Sequence, residues 1–174
     1  MDFKDLVQAR RSHRRFTPGE ISADDVKTIM RAALMSPTSK GQRGWHFVVV
    51  DNPSDIEKLA DAKDMGGQFL KGAAIVVVVL GDASKNDCWI EDGSLAALSI
   101  QLQAEDLGLG SCWAHWRGRG LSDGTSAEEV VRGVLGIPDN MNVLCGIGIG
   151  RKADDRKPQN EEALKWENVH AGRW

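Results

Sequence analysis

The chain has 174 residues, 41% hydrophobic and 27% charged, with a formal net charge of −3, enough for one domain that buries roughly 70% of its unfolded surface. A pI near 5.8 argues against general nucleic-acid binding, the longest apolar run (residues 73–80) is too short to cross a bilayer, and the N-terminus lacks the apolar stretch of a secretory signal. The three cysteines, Cys88, Cys112 and Cys145, are odd in number and form no C-x-x-C pair, so reduced thiols in the cytoplasm are expected.

In chain order, Phe3, Leu6, Val7 and Arg10 stand at helical spacing and predict a short helix over residues 3–11. Ser22-Ala23-Asp24-Asp25 resembles a capping box and opens a second helix to about Met35. Residues 36–41, Ser-Pro-Thr-Ser-Lys-Gly, break it as an ordered loop. Residues 45–50 predict a strand, and Pro53 opens another short helix. The apolar run 75–80, with four consecutive valines, predicts a central strand buried on both faces. A long helix follows over about 91–107 and ends at Gly108 and Gly110; then come a strand at 111–116, a helix at 126–135 and a last strand at 143–149. This alternation predicts an α/β or α+β sandwich with one sheet flanked by helices. The polar tail from Arg151 carries Trp166 and Trp174 and is expected to wrap a partner surface.

Arg10, Arg11, Arg14 and Arg15 crowd into six residues of an acidic protein. Such a cluster repels itself unless an anion sits against it, and the embedded Ser12 adds a hydroxyl that phosphate oxygens accept. A solvated basic turn and a nucleic-acid patch are the plainer alternatives. Gly146, Gly148 and Gly150 do not lead into a helix, so a dinucleotide loop is set aside for a strand whose glycines let another backbone pack closely. Cys112 and His115 lack both the further ligands that structural zinc needs and a third group to orient a nucleophile and its base. No metal site is expected. Residues 107–113 join a helix end, two glycines and small residues to a strand, which allows backbone to approach a flat ligand.

Four segments, residues 10–16, 36–47, 107–113 and 164–170, together resemble the nitroreductase family of FMN-dependent oxidoreductases, in particular its short members. The resemblance implies a single α+β domain over residues 1–174, a nitroreductase-like fold with a central mixed or antiparallel sheet flanked by helices. It implies an intertwined homodimer with FMN at the interface, touched by both chains, and the tail 151–174 packed on the partner subunit. Arg10, Arg11 and Ser12 look like the phosphate-holding residues, and Arg14 like the cation near the pyrimidine end of the flavin. Pro37, Thr38, Ser39 and Gln42 resemble the loop that reaches the flavin from the partner chain. The backbone of Ser111, Cys112, Trp113 and Ala114 would lie along the ring near N5. Arg151, Arg156 or Lys157 would add positive charge at the phosphate. Gly41 stands where relatives often carry Asn, and offers no side-chain amide to the flavin.

The function implied is transfer of electrons from NADH or NADPH through flavin N5 to a small-molecule acceptor of nitroaromatic, quinone or enone type. The cofactor performs the chemistry, so no obligatory side-chain acid or base is expected. No membrane or nucleic-acid partner is implied. Residues 63–69 and 115–119 are the candidates to cover the flavin face. The competing class is a non-catalytic flavin- or nucleotide-binding or sensing protein built on the same arginines.

Overall fold

The computed structural model describes all 174 residues. In chain order it contains α1 (Phe3–Ala9), β1 (Phe16–Thr17), α2 (Ala23–Leu34), β2 (Trp45–Val50), α3 (Pro53–Ala60), β3 (Ile75–Gly81), α4 (Trp89–Asp106), β4 (Leu109–His115), α5 (Ala127–Leu135) and β5 (Asn142–Lys152). Short 3-10 turns stand at Ser39–Gly41, Gln68–Gly72, Glu161–Ala163 and Trp166–Asn168.

The first helix stops two residues before its expected end, because Arg10 leaves helical geometry at ψ 120°. Continuing the helix would set Arg10 over Arg14 and Arg11 over Arg15 at i,i+4, a like-charge spacing that destabilises helices. Ser22 caps α2 as expected, accepting from Asp25 N–H at 3.1 Å. Gly108 alone ends α4, at φ +76°. Gly110 already belongs to β4, where a Cβ would sit 2.9 Å from the Cβ of His13. The last strand runs on to Lys152 because Thr17 and Phe16 of β1 pair with Arg151 and Lys152.

The main sheet has the order β4-β5-β3-β2, and every adjacent pair is antiparallel. Its middle strand β3 is buried at all seven positions. Val76, Val78 and Leu80 face a core shared with Ile56 and Leu59 of α3 and Val131 of α5. Ile75, Val77 and Val79 face a core shared with Ile29 of α2 and Ile100 of α4. Helices therefore cover both faces, which explains why β3 reads as an unbroken apolar run.

Gly146, Gly148 and Gly150 form a stripe on one face of β5. The expectation that they admit another backbone is corrected: they admit side chains. A Cβ at Gly146 would overlap the ring of Trp116, one at Gly148 would lie 2.7 Å from Leu70 Cδ2, and one at Gly150 would lie 2.9 Å from Phe16 Cδ1. Three large apolar groups thus lie flat on the sheet where Cβ atoms would otherwise stand.

Beyond Asp154 every tail residue is exposed, including Leu164, Trp166, Val169 and Trp174. The tail touches the body near α1, where Gln159 N–H donates to the Gln8 carbonyl at 2.9 Å. No helix is long and apolar enough to cross a membrane.

Candidate functional site

After α1 the chain runs extended along the outer edge of β4. Ser12 bridges Ser111 in parallel, and His13 N–H donates to the Ser111 carbonyl at 2.9 Å. Extended backbone turns alternate side chains to opposite sides, which divides the basic cluster in two.

Arg10, Ser12 and Arg14 converge on Cys112. Burial pushes the Cys112 thiol above its ordinary value; Arg14, a hydrogen bond from Ser12 and Arg10 act against that rise. Arg11 turns the other way. Its guanidinium donates to the carbonyl of Lys157 and, at 3.5 Å, to that of Pro158, so it holds the tail. None of the four arginines forms an ion pair. Arg14 and Arg15 are exposed, and Arg10 is half-buried.

His13 is only 2% exposed. The reason is Gly110, whose missing side chain leaves room for the imidazole against β4. His13 Nδ1 lies 3.6 Å from Asp154, beside a Lys152–Glu105 pair at 2.6 Å. Burial and Lys152 hold the imidazole below its ordinary pKa, against the pull of Glu105 and Asp154.

The edge of β4 offers the next feature. The carbonyls of Ser111 and His115 both accept from outside the sheet, the latter from Lys63 Nζ at 2.8 Å. In an antiparallel ladder the N–H and C=O of one residue point the same way, and residues alternate. The N–H groups of Trp113 and His115 therefore face outward too, while Cys112 and Ala114 face β5. Trp113 Nε1 donates to His115 Nδ1 at 3.3 Å, which leaves the imidazole proton on Nε2. A strip results, with Arg10, Ser12 and Arg14 at one end, outward N–H groups in the middle and Lys63 at the other end.

The loop 37–42 is not part of this strip. Ser39 N–H donates to Asp92 Oδ1 at 2.8 Å, and Asn86 Nδ2 donates to Asp92 Oδ2 at 2.7 Å. Arg43 N–H donates to Thr38 Oγ1 at 3.0 Å. Lys40, Gly41 and Arg43 take left-handed backbone at φ 53°, 64° and 51°, so Gly41 occupies a conformation that Asn also tolerates. Gln42 lines a cavity of about 690 Å³ with His46, Asp82 and Met141, at the β2 edge. Ser39 thus meets α4 at Asp92, and Lys152 beside His13 meets it at Glu105, thirteen residues or roughly 20 Å of helix apart; between them Ser36 bonds Ser99 at 2.8 Å and Pro37 lines a groove with Phe3, Leu6 and Asp106. One chain does not bring Ser39 and Gln42 to the arginine end of this strip.

Among the expected C-terminal cations, Arg151 reaches the Glu20 carbonyl at 3.4 Å, and Arg156 faces Asp154 at 3.6 Å. Lys157 meets Arg11 through its carbonyl. Asp92 was not singled out in the sequence, because an acid in the first turn of a helix needs no more explanation than the helix dipole.

The sequence profile of the nitroreductase family matches residues 7–66 and 61–151. The chain belongs to the nitroreductase family. An FMN-dependent nitroreductase from Clostridium difficile superposes with a TM-score of 0.95 at 39% identity, over 97% of this chain and 98% of that one. A relative from Archaeoglobus fulgidus, provisionally named an NADH dehydrogenase/NAD(P)H nitroreductase, is 29% identical over 97% of both chains. An NADPH:FMN oxidoreductase from Vibrio harveyi, solved with NAD+, shares the fold at a TM-score of 0.80 and 22% identity, over 98% of this chain and 77% of that one. Members of the nitroreductase family are oxidoreductases.

Proposed function

We propose that the protein is an FMN-dependent NAD(P)H oxidoreductase that reduces small organic acceptors of the nitroaromatic, quinone or enone type. The observation that carries the reading is the unpaired set Arg10, Ser12 and Arg14 beside the outward N–H edge of β4. FMN fits it in charge and shape. Its phosphate suits an arginine and a hydroxyl without a competing carboxylate, and its flat polar edge suits a row of backbone donors. When bound, FMN supplies two-electron chemistry between nicotinamide and acceptor.

The chain's own residues do the rest. Arg10 and Ser12 would hold the phosphate. Arg14 would place positive charge near the ring, which favours its reduced, more negative form. The N–H groups of Trp113 and His115 would orient the ring edge, and the buried β4–β5 ladder would keep those donors fixed. No side chain of the strip is needed as proton donor.

The reading includes a homodimer. The distance between Ser39 at Asp92 and the arginine end of the strip near Glu105 suits a loop that serves the neighbouring subunit. Phe3, Val7, Leu34, Leu95 and Leu98 on α1, α2 and α4, with Met35 just after α2, are exposed apolar residues, the kind of face that another surface covers. The exposed tail, with Trp166 and Trp174, would pack on that partner. The three cysteines are free, and the reading places the protein in the cytoplasm.

The test is purification with added FMN, followed by visible absorbance, light scattering and anaerobic oxidation of NADH and NADPH with menadione or a nitrofuran. A yellow dimer that turns over is the expected result. A colourless protein after FMN addition overturns the reading, and a yellow one without turnover makes it a flavin-binding protein.

A further inference from the structure

Resting on that reading, we propose that the acceptor end of the β4 strip selects anionic acceptors, small nitroaromatics or quinones that carry a carboxylate or sulfonate, through Lys63, His115 and Arg119. The strip has two cationic ends, and the phosphate needs only one. Arg10 and Arg14 flank Ser12, which bridges Ser111, and Lys63 reaches the His115 carbonyl four residues further along β4. The second end is left without an ion-pair partner inside the protein.

Two of its groups, Lys63 and His115, are anchored. Lys63 is half-buried, and one of its three donors is spent on the His115 carbonyl at 2.8 Å. Two donors remain on a group already anchored. His115 is half-buried and fixed by Trp113, which leaves Nε2–H as a donor. Arg119 stands close enough to repel the charge on both Lys63 and His115. Arg119 N–H bonds the Trp116 carbonyl at 2.8 Å, and its own carbonyl accepts from Ala127 N–H at 2.8 Å, so the backbone that carries it is held.

No carboxylate pairs with this charge, although Asp64 N–H donates to the Gly120 carbonyl at 3.4 Å beside it. Neither Lys63 nor Arg119 makes an ion pair. The nearby Glu128 carboxylate accepts from Gly118 N–H at 3.4 Å. Arg117 is drawn toward the Trp89 ring, 6.0 Å from its centroid. Burial and Arg119 both press Lys63 below its ordinary pKa. A half-buried ammonium with cations around it and no acid in ion-pair contact is costly unless an anion arrives. An anionic substituent would relieve that cost on binding, and a neutral one would not.

Matched pairs give the test. The reducible pair is 4-nitrobenzoate and 4-nitrobenzamide, compared by kcat/KM on the FMN-loaded enzyme at low and high salt. The non-reducible pair is benzoate and benzamide, compared by calorimetric titration of the same protein. The expected result is a preference of about tenfold for the anion in both assays, shrinking with salt. Lys63→Met and Arg119→Met should each narrow the ratio, and Lys63→Arg should keep it. Equal binding and equal rates for each pair, with turnover intact, overturn the inference and leave the proposed function standing. Absence of turnover with either acceptor and with menadione overturns both. The wild-type ratio alone decides the matter if a variant fails to fold.

Discussion

Gly146→Ala tests the glycine stripe that seats Trp116 on the sheet. The new Cβ would overlap the Trp116 ring, with two further ring atoms at 2.7 and 3.1 Å. Trp116 is fully buried in the core that contains Val76, Val131 and Met141, so it has no space to retreat into. Overpacking of this kind costs about 1–3 kcal/mol. For a chain of this length the expected fall in Tm is roughly 4–8 °C for about 2 kcal/mol. Gly148→Ala should cost less, because Leu70 Cδ2 at 2.7 Å ends a side chain that can rotate, and Gly150→Ala less again, because Phe16 is half-buried. Gly133→Ala is the control of opposite sign. It lies inside α5 with open space around its Cβ, so alanine should stabilise by about 0.5–1 kcal/mol. Thermal unfolding at fixed protein and FMN concentrations reads all four. A Gly146→Ala protein that melts at or above the wild type refutes the account of the stripe. So does a Gly133→Ala protein that falls with it.

Arg10→Ala should weaken FMN binding by about tenfold or more, measured by fluorescence titration, whereas Arg11→Ala should leave affinity within about threefold and speed proteolysis after residue 157; the reverse pattern would reassign the two side chains. Burial holds His13 below its ordinary value of 6.5 in the fold, so the unfolded chain takes up the proton first as the pH falls. Stability is then full above about pH 6.5 and drains below it; denaturant midpoints between about pH 7.5 and 5.5 should fall less steeply in His13→Asn, and an unchanged slope counts against the buried imidazole. Asp92→Asn gives up the charge behind the 2.8 Å bond from Ser39 N–H, weakening it by about 1–2 kcal/mol, so hydrogen exchange at residues 38–44 should quicken while α4 stays protected.

Much of the fold was legible because it follows from periodicity. The four valines of β3 announced a strand with two covered faces, and Ser22 and Ser126 marked helix starts that the structure keeps. What was not legible depends on partners far away in sequence. His13 sits between Ser12 and Arg14 in a basic run and looks exposed until Gly110, nearly a hundred residues on, is seen to make room for it. Arg10 and Arg11 are chemically alike, and only the extended backbone after Ala9 sends one to Cys112 and the other to the tail. The stripe on β5 was visible as glycines, but their occupants come from the ends of other elements. Lys63 lies in a stretch without periodicity, and nothing local says that its ammonium reaches the His115 carbonyl.

The separation of Ser39 from the β4 strip along α4 has a genetic consequence. In the proposed homodimer each site draws the strip from one subunit and the loop from the other. Two defective alleles, Arg10→Ala and Asp92→Asn, damage different halves. Random reassociation would then rebuild an undamaged site at roughly a quarter of positions, by gathering both lesions into the opposite site of the same mixed dimer. Complementation between alleles of one gene is a property of sites shared in this way.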